Sequence, residues 1–325
     1  MATISTIMPA GGGDYSTLQA WEDFADGEAS ADQHAECYTG GNLGSLSIES
    51  WASTPSSTLY PRVYAAEGNK HNGDIAGGAF ISAASGNGVF VNVDYGRVED
   101  LRITATGSSA NGLSFGATVN RTGIIISGLL IHDCAANGIN ASSLDANLDF
   151  IIKNCIFIDN APPGAGSNIN YIHYALSGSR TTAVGVYNCT AHTGDFGFNL
   201  SATEAGGTMT GTLDCVNCCA FGNAEADFLI ANAAGVTETI SNNASDDATA
   251  DDFGGSGHLV DQTDTDWFAN VSGDNLELKP TSPGRNAGTA IASVTNDVAG
   301  RARPQEGTYD IGAHEYPFQQ KIISM

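Results

Sequence analysis

Ile152-Lys-Asn-Cys-Ile-Phe157, Val186-Tyr-Asn-Cys-Thr-Ala191 and Cys215-Val-Asn-Cys-Cys-Ala220 are versions of one phrase: a strand end, an Asn, then a new strand. Ile240-Ser-Asn-Asn-Ala-Ser245 continues it, and Val98-Glu-Asp-Leu-Arg-Ile103 and Ile126-Ser-Gly-Leu-Leu-Ile131 precede it with another polar residue or Gly at the turn. Asn154, Asn188, Asn217 and Asn242 are 34, 29 and 25 residues apart by subtraction. Repeats of roughly 20–50 residues mark stacked architectures. A second line follows the first: Asn111-Gly-Leu-Ser-Phe115, Asn137-Gly-Ile-Asn-Ala141, Asn168-Ile-Asn-Tyr171, Phe196-Gly-Phe-Asn-Leu200 and Ala226-Asp-Phe-Leu-Ile230. Its apolar and polar residues alternate, the period of a half-buried strand. Each coil therefore carries at least two strands, and the chain is expected to be all-β: a right-handed parallel β-helix (solenoid) with a short N-terminal capping helix.

In such a stack, coils lie about 4.8 Å apart, so equivalent residues touch their counterparts above and below. Asn154, Asn188, Asn217 and Asn242 are expected to form a buried ladder, hydrogen-bonded from coil to coil. The residue after the turn points inward, which makes Cys155, Cys189 and Cys218 a column of free thiols below Leu101 and Leu129. The seven cysteines are an odd number in a chain too long to need staples, so no disulfide framework is implied. Cys215-Val-Asn-Cys218 is a lone C-x-x-C, and neither metal nor cofactor is expected.

The ends differ from the middle, because an open stack exposes core and strand edges. Ser16-Thr-Leu-Gln19 reads as a capping box with Ser16 as N-cap, and Leu18, Trp21 and Phe24 fall on one face of the helix that follows. The organisation is an N-terminal cap over 1–40, coils over 41–253, and a C-terminal coil and terminal segment of the same domain over 254–325.

With 36 acidic residues against 12 Lys plus Arg, the net charge is −24. Nucleic acid and anionic membrane surfaces are poor partners for such a chain. No run approaches the length of a membrane span, and the start lacks the pattern of a secretory signal.

These pieces together resemble right-handed parallel β-helix proteins of the pectin-lyase-like superfold. The opening Gly12-Gly-Asp-Tyr-Ser-Thr-Leu-Gln-Ala-Trp-Glu22 resembles the capping segment of many members. Leu276-Glu-Leu-Lys-Pro-Thr-Ser-Pro283, Asp297-Val-Ala-Gly-Arg301, Arg303-Pro304 and Asp310-Ile-Gly-Ala-His-Glu-Tyr316 resemble a terminal segment common in bacterial surface proteins and phage members. The resemblance implies a fold that hosts lyases, hydrolases, adhesins and virion proteins alike.

Enzymes on this scaffold need ionisable groups along an outer strand face. The second line offers Ser114, Asn140, Asn170, Asn199 and Leu229 there. The first offers His132, Ile158, His192 and Phe221, beside Leu130, Ile156, Thr190 and Cys219. A groove with His132 or His192 as acid/base and Asp195 nearby is one reading. The preferred one makes Leu130, Ile156, Ile158 and Phe221 an interface, covered by the connection over 159–181 or by another chain. Arg285, Arg301 and Arg303 are expected to fasten the terminal segment to Asp297, Asp310 or Glu315. The expected function is non-enzymatic: a virion component made in the host cytoplasm, such as a capsid decoration, head-spike or tail-spike module. It would be a homo-oligomer touching other capsid or tail proteins, with a host-surface glycan as an optional ligand. The alternative is a polysaccharide lyase or glycoside hydrolase on the same fold.

Overall fold

The structure, a computed structural model, describes residues 2–116, 119–160 and 166–317. Its strands pair in parallel, rung upon rung, as a β-helix. One face is a nine-stranded sheet in simple sequence order, from Thr3–Ile7 through Arg62–Ala65, Arg97–Glu99 and Leu148–Lys153 to Val236–Ser241. A second face stacks Phe80–Ala83, Arg102–Ala105, Leu130–His132 and Ile156–Ile158. A third stacks Leu46–Ile48, Val89–Val91, Leu113–Phe115 and Ile139–Asn140. Thr190–Glu204 and Cys219–Asn232 are long enough to run across the second and third faces and join them into one sheet.

The recurring phrase marks the corner between the first and second faces. Asp100, Gly128, Asn154, Asn188, Asn217 and Asn242 all have φ between 49° and 64° there. Asn, Asp and Gly are the residues that tolerate this left-handed conformation, which explains the choice at each position. A second corner repeats the device with Asp133, Asp159, Thr193 and Gly222. Behind the first corner Leu101, Leu129, Cys155, Cys189 and Cys218 form a fully buried column. Burial pushes the thiols of Cys155, Cys189 and Cys218 well above their usual range, and all three are free. The buried Asn243 ends this column, its Oδ1 accepting from the Cys218 amide.

The corner asparagines bond differently from expectation. Only Asn217 reaches the coil above, Nδ2 donating to Asn188 Oδ1 at 3.3 Å. Otherwise their amides donate to the C-terminal segment: Asn154 to the Asn296 carbonyl, Asn188 to Asp310, Asn217 to Thr289 and Asn242 to Ala287. Asn242 is also only half-buried. The amide ladders lie elsewhere. Asn137 donates to Asn111, which donates to Asn87, and on the third face Asn199 donates to Asn170, which donates to Asn140.

The helix Leu18–Ala25 closes the first coil, with Leu18 and Trp21 fully buried. Its N-cap is Thr17, not Ser16: Thr17 Oγ1 accepts from the Ala20 amide. Gln19 instead bonds Glu22, Asp23 and the Ser47 amide. Phe24 is 51% exposed, and Glu22 takes the buried place beside Trp21.

After the last coil the chain turns back along the second face as a strap over 264–316, which opens with a helical turn, Asp264–Trp267, and a short antiparallel pair, Phe268–Asn270 with Asn275–Leu278, and is irregular beyond it. Arg303 knots it, its guanidinium donating to Glu315 Oε2 at 2.8 Å and to three backbone carbonyls, all buried. Arg301 pairs with Asp297 and Glu277, and Arg285 with Glu306. Asp297 and Asp310 accept backbone amides instead of a short guanidinium bond.

Candidate functional site

The outer side of the second face carries two registered columns. His132, Ile158, His192 and Phe221 sit one above another, beside Leu130, Ile156, Thr190 and Cys219. Leu130, Ile156, Ile158 and Phe221 are at most 2% exposed. Among the described residues, their cover is the C-terminal strap and not the connection over 159–181. Ser167–Ala175 and Ser179–Tyr187 are strands of the coils, and 161–165 lies outside the described residues. The strap itself seals the stripe, with Trp267, Phe268, Leu276, Leu278, Val298 and Ile311 forming a second apolar core against it. The rings of Trp267 and Phe268 lie 5.2 and 5.3 Å from that of Phe221. This stripe is therefore internal, which corrects its assignment as an interface.

The histidines are sealed with it. His132 and His192 are 7% and 6% exposed, and the Ile158 strand separates them, a gap of about 10 Å at two strand spacings. His132 Nδ1 lies 2.8 Å from Asp133, and His192 Nε2 lies 3.5 Å from Asp264 of the strap. Asp195 sits at a register shift between Gly194 and Phe196, 7% exposed. No hydrogen bond or ion pair joins it to either histidine among the described residues. The geometry does not assemble an acid/base pair from these three.

The first face, read from its register, is the ionisable one. Arg62 and Arg97 are direct neighbours in one outward column, and Tyr64, Glu99, Ser127, Lys153 and Tyr187 form the next. The Arg62 guanidinium lies 4.2 Å from the Tyr64 ring centre and pairs with Glu99. That of Arg97 lies 3.7 Å from the Tyr60 ring, on which His34 stacks at 5.6 Å. Such contacts hold a cation over an aromatic face. Where this face meets the strap, a cleft of about 170 Å³ is lined by Lys70, Glu99, Asp100, Lys153 and Asp297. Lys70 pairs with Asp100 at 3.0 Å, and Lys153 Nζ donates to the Ser293 carbonyl. Burial pulls the Lys153 ammonium below its usual range and raises the carboxyls of Asp100 and Asp297. The cleft is small, and both of its lysines are already paired or hydrogen-bonded. Sequence reading missed it, because it followed the strands after the corner and not those before. Arg62-Val-Tyr64, Arg97-Val-Glu99 and Lys153 were the available signal.

Among the described residues, no group of three or more His, Cys, Asp or Glu side chains converges as metal ligands do.

No protein-family model and no curated protein sequence matches the chain. Among solved structures, that of pectate lyase Pel9A is similar, with a TM-score of 0.49 and 12% identity over 97% of each chain. At that identity the likeness is one of fold alone.

Proposed function

We propose that the protein is a non-enzymatic structural β-helix of a virus particle, a capsid or tail module whose open first face is available to a glycan. One observation carries this reading. The strap seals the histidines His132 and His192 away from any polymer, while the face left open presents cations seated on tyrosines. Aromatic and planar polar side chains of that kind offer shallow contacts to a sugar ring without cleaving it. A stacked coil closed along one side by its own strap is also a rigid rod suited to docking on a shell. Labelling intact particles with an antibody to this chain is the test. Signal on the particle surface is expected, and signal restricted to other fractions of the lysate overturns the virion role.

The cleft of Lys70, Glu99, Asp100, Lys153 and Asp297 favours a second reading, a polysaccharide lyase or hydrolase. A lysine with a lowered pKa among carboxyls is equipped to take a proton. Its size argues against this, since about 170 Å³ is below the roughly 300 Å³ at which small-ligand sites begin. Incubation with capsular polysaccharide distinguishes the two. Falling polymer size, abolished by Lys153→Met, establishes the enzyme reading in place of the structural one.

A further inference from the structure

The last long rung, Cys219–Asn232, is paired on its far side only at Cys219 and Ala220, by the short strand Ala244–Ser245. The turn that follows Ser245 closes the rest of this edge with side chains, where a further strand would offer carbonyls. Asp246 Oδ2 accepts the Gly222 amide at 2.7 Å, Asp247 Oδ2 the Asp227 amide at 3.2 Å, and Thr249 Oγ1 the Phe228 amide at 3.0 Å. Ala250, 1% exposed, then enters the core, and Phe253 and Val260 pack against that core. The turn over 246–250 is thus a lid on the C-terminal end of the stack.

Asp227, which the lid covers, is fully buried. Its Oδ1 accepts from Asn223 Nδ2 at 2.7 Å, and its Oδ2 accepts the Asp246 amide at 2.8 Å. Asn223 is held from behind, its Oδ1 accepting from Asn168, whose own Oδ1 accepts from Asn160. The carboxyl of Asp227 is also hydrogen-bonded to that of Asp246. Two ionised carboxylates have only acceptors to offer each other, so this bond requires a proton between them. The other titratable groups around it are Asp247 on the lid, Cys219 on its own strand, and Asp195 on the preceding rung, opposite the stretch from Asn223 to Ala226. Arg303 of the strap, which also acts on Cys219, is paired with Glu315. Burial raises the Asp227 carboxyl to about 8, the Asn223 bond opposing the shift and Asp246 and Asp247 adding to it.

We propose that the proton shared by Asp227 and Asp246 is a latch, whose loss to water opens the lid over 246–250 and bares the edge of the last rung. Without that proton, two like charges stand at hydrogen-bond distance, one of them buried without a cation. Asn223 holds Asp227 in place, whereas Asp246 already lies at the surface. Relief therefore comes from the turn swinging outward. The folded state keeps a proton that the unfolded chain releases near pH 3.8, so the closed lid is fully stabilised below that pH and loosens as pH rises through about 8. Opening uncovers Phe228 and Ile230 beside a free parallel edge. The latch belongs to the fold and stands whether or not the protein is part of a virion.

Hydrogen exchange of the intact protein, read by mass spectrometry from about pH 6 to about pH 10 and corrected for base catalysis of exchange, tests this. Protection of the Asp227, Phe228 and Ala250 amides should fall at least tenfold across that range, while the mid-stack strand Leu148–Lys153 keeps its own. Asp246→Asn puts a permanent donor where the proton sat: its carbonyl oxygen can still accept the Gly222 amide while Nδ2 donates to Asp227. That variant should keep the lid protected at the alkaline end. Should it fail to fold, the contrast between lid and mid-stack in the unaltered protein carries the test alone. Lid protection that does not change with pH, equal loss of protection in lid and mid-stack, or an Asp246→Asn protein with the original pH dependence each overturns the proposal.

Discussion

At the scale of single residues, the corner asparagines have two tasks: they accept a left-handed backbone, and they hold the strap. Asn217 shows both, with φ of 58°, a bond from Nδ2 to the Thr289 carbonyl at 2.7 Å, and Oδ1 accepting the Thr289 amide at 2.9 Å. Asn217→Ala should lower unfolding stability by about 1–3 kcal/mol for the unsatisfied groups, plus a backbone penalty of about 1 kcal/mol. Asn217→Gly should recover only the backbone share, which urea midpoints of the two variants will reveal. The repeat gave these positions away in the sequence. Their bonds did not show, because the strap that receives them lies 45 to 142 residues downstream and shares no repeat with them. Glu22 was missed for a related reason, since helical periodicity favoured Phe24 for the buried face. Burial beside Trp21 raises the Glu22 carboxyl to about 7, with the charges of Asp26 and Asp23 adding to the shift and the bonds from Glu49 and Gln19 opposing it. The folded state then holds a proton that the unfolded state releases near pH 4.5. Stability from this group is complete below that pH and declines as pH rises through about 7. Glu22→Gln should flatten that part of the pH–stability curve, and an unchanged slope would contradict the assignment.

Among the elements, the strap carries the most consequence. The strand stripe of Leu130, Ile156, Ile158 and Phe221 was legible as apolar and outward, and so was its need for a cover. What covers it was not, because the strap shares no repeat with the coils, its helical turn and two strands are only three or four residues long, and its path is fixed by tertiary contacts. Trp267→Ala should destabilise the protein by about 3–5 kcal/mol, the range for removing a fully buried large aromatic, read as a shift in denaturant midpoint. Truncation after residue 263 should expose the stripe, giving dye binding and aggregation. A truncated chain that stays soluble and binds no dye would show that the strap is dispensable. The capping helix offers a matched pair: Trp21→Ala should weaken the N-terminal coil, whereas Phe24→Ser, at an exposed position, should change little.

For the molecule as a whole, the parallel stack buries every cysteine. Under native conditions a thiol reagent should titrate none of the seven, and all seven should react in denaturant. Rapid labelling of Cys155, Cys189 or Cys218 in the folded protein would mean that the column is open. The stack also needs protection at its ends, since a free parallel edge invites another strand. At the N-terminal edge Asp14 supplies it, its Oδ2 accepting the Thr6 amide in place of a further rung, with the Tyr15 backbone bonding Thr6 and Met8 beside it. The strap has an implication for how the chain comes off the ribosome. Coils can pair one by one as they emerge, but the stripe from Leu130 to Phe221 waits for Trp267 and Ile311. At about 5–20 residues per second, that delay is on the order of ten seconds or more. During it the nascent protein is a half-wrapped rod with its apolar seam open to neighbours. Ribosome spacing and holding chaperones would then govern yield more than the stability of the finished fold, and a late premature stop would be more damaging than its distance from the coils suggests.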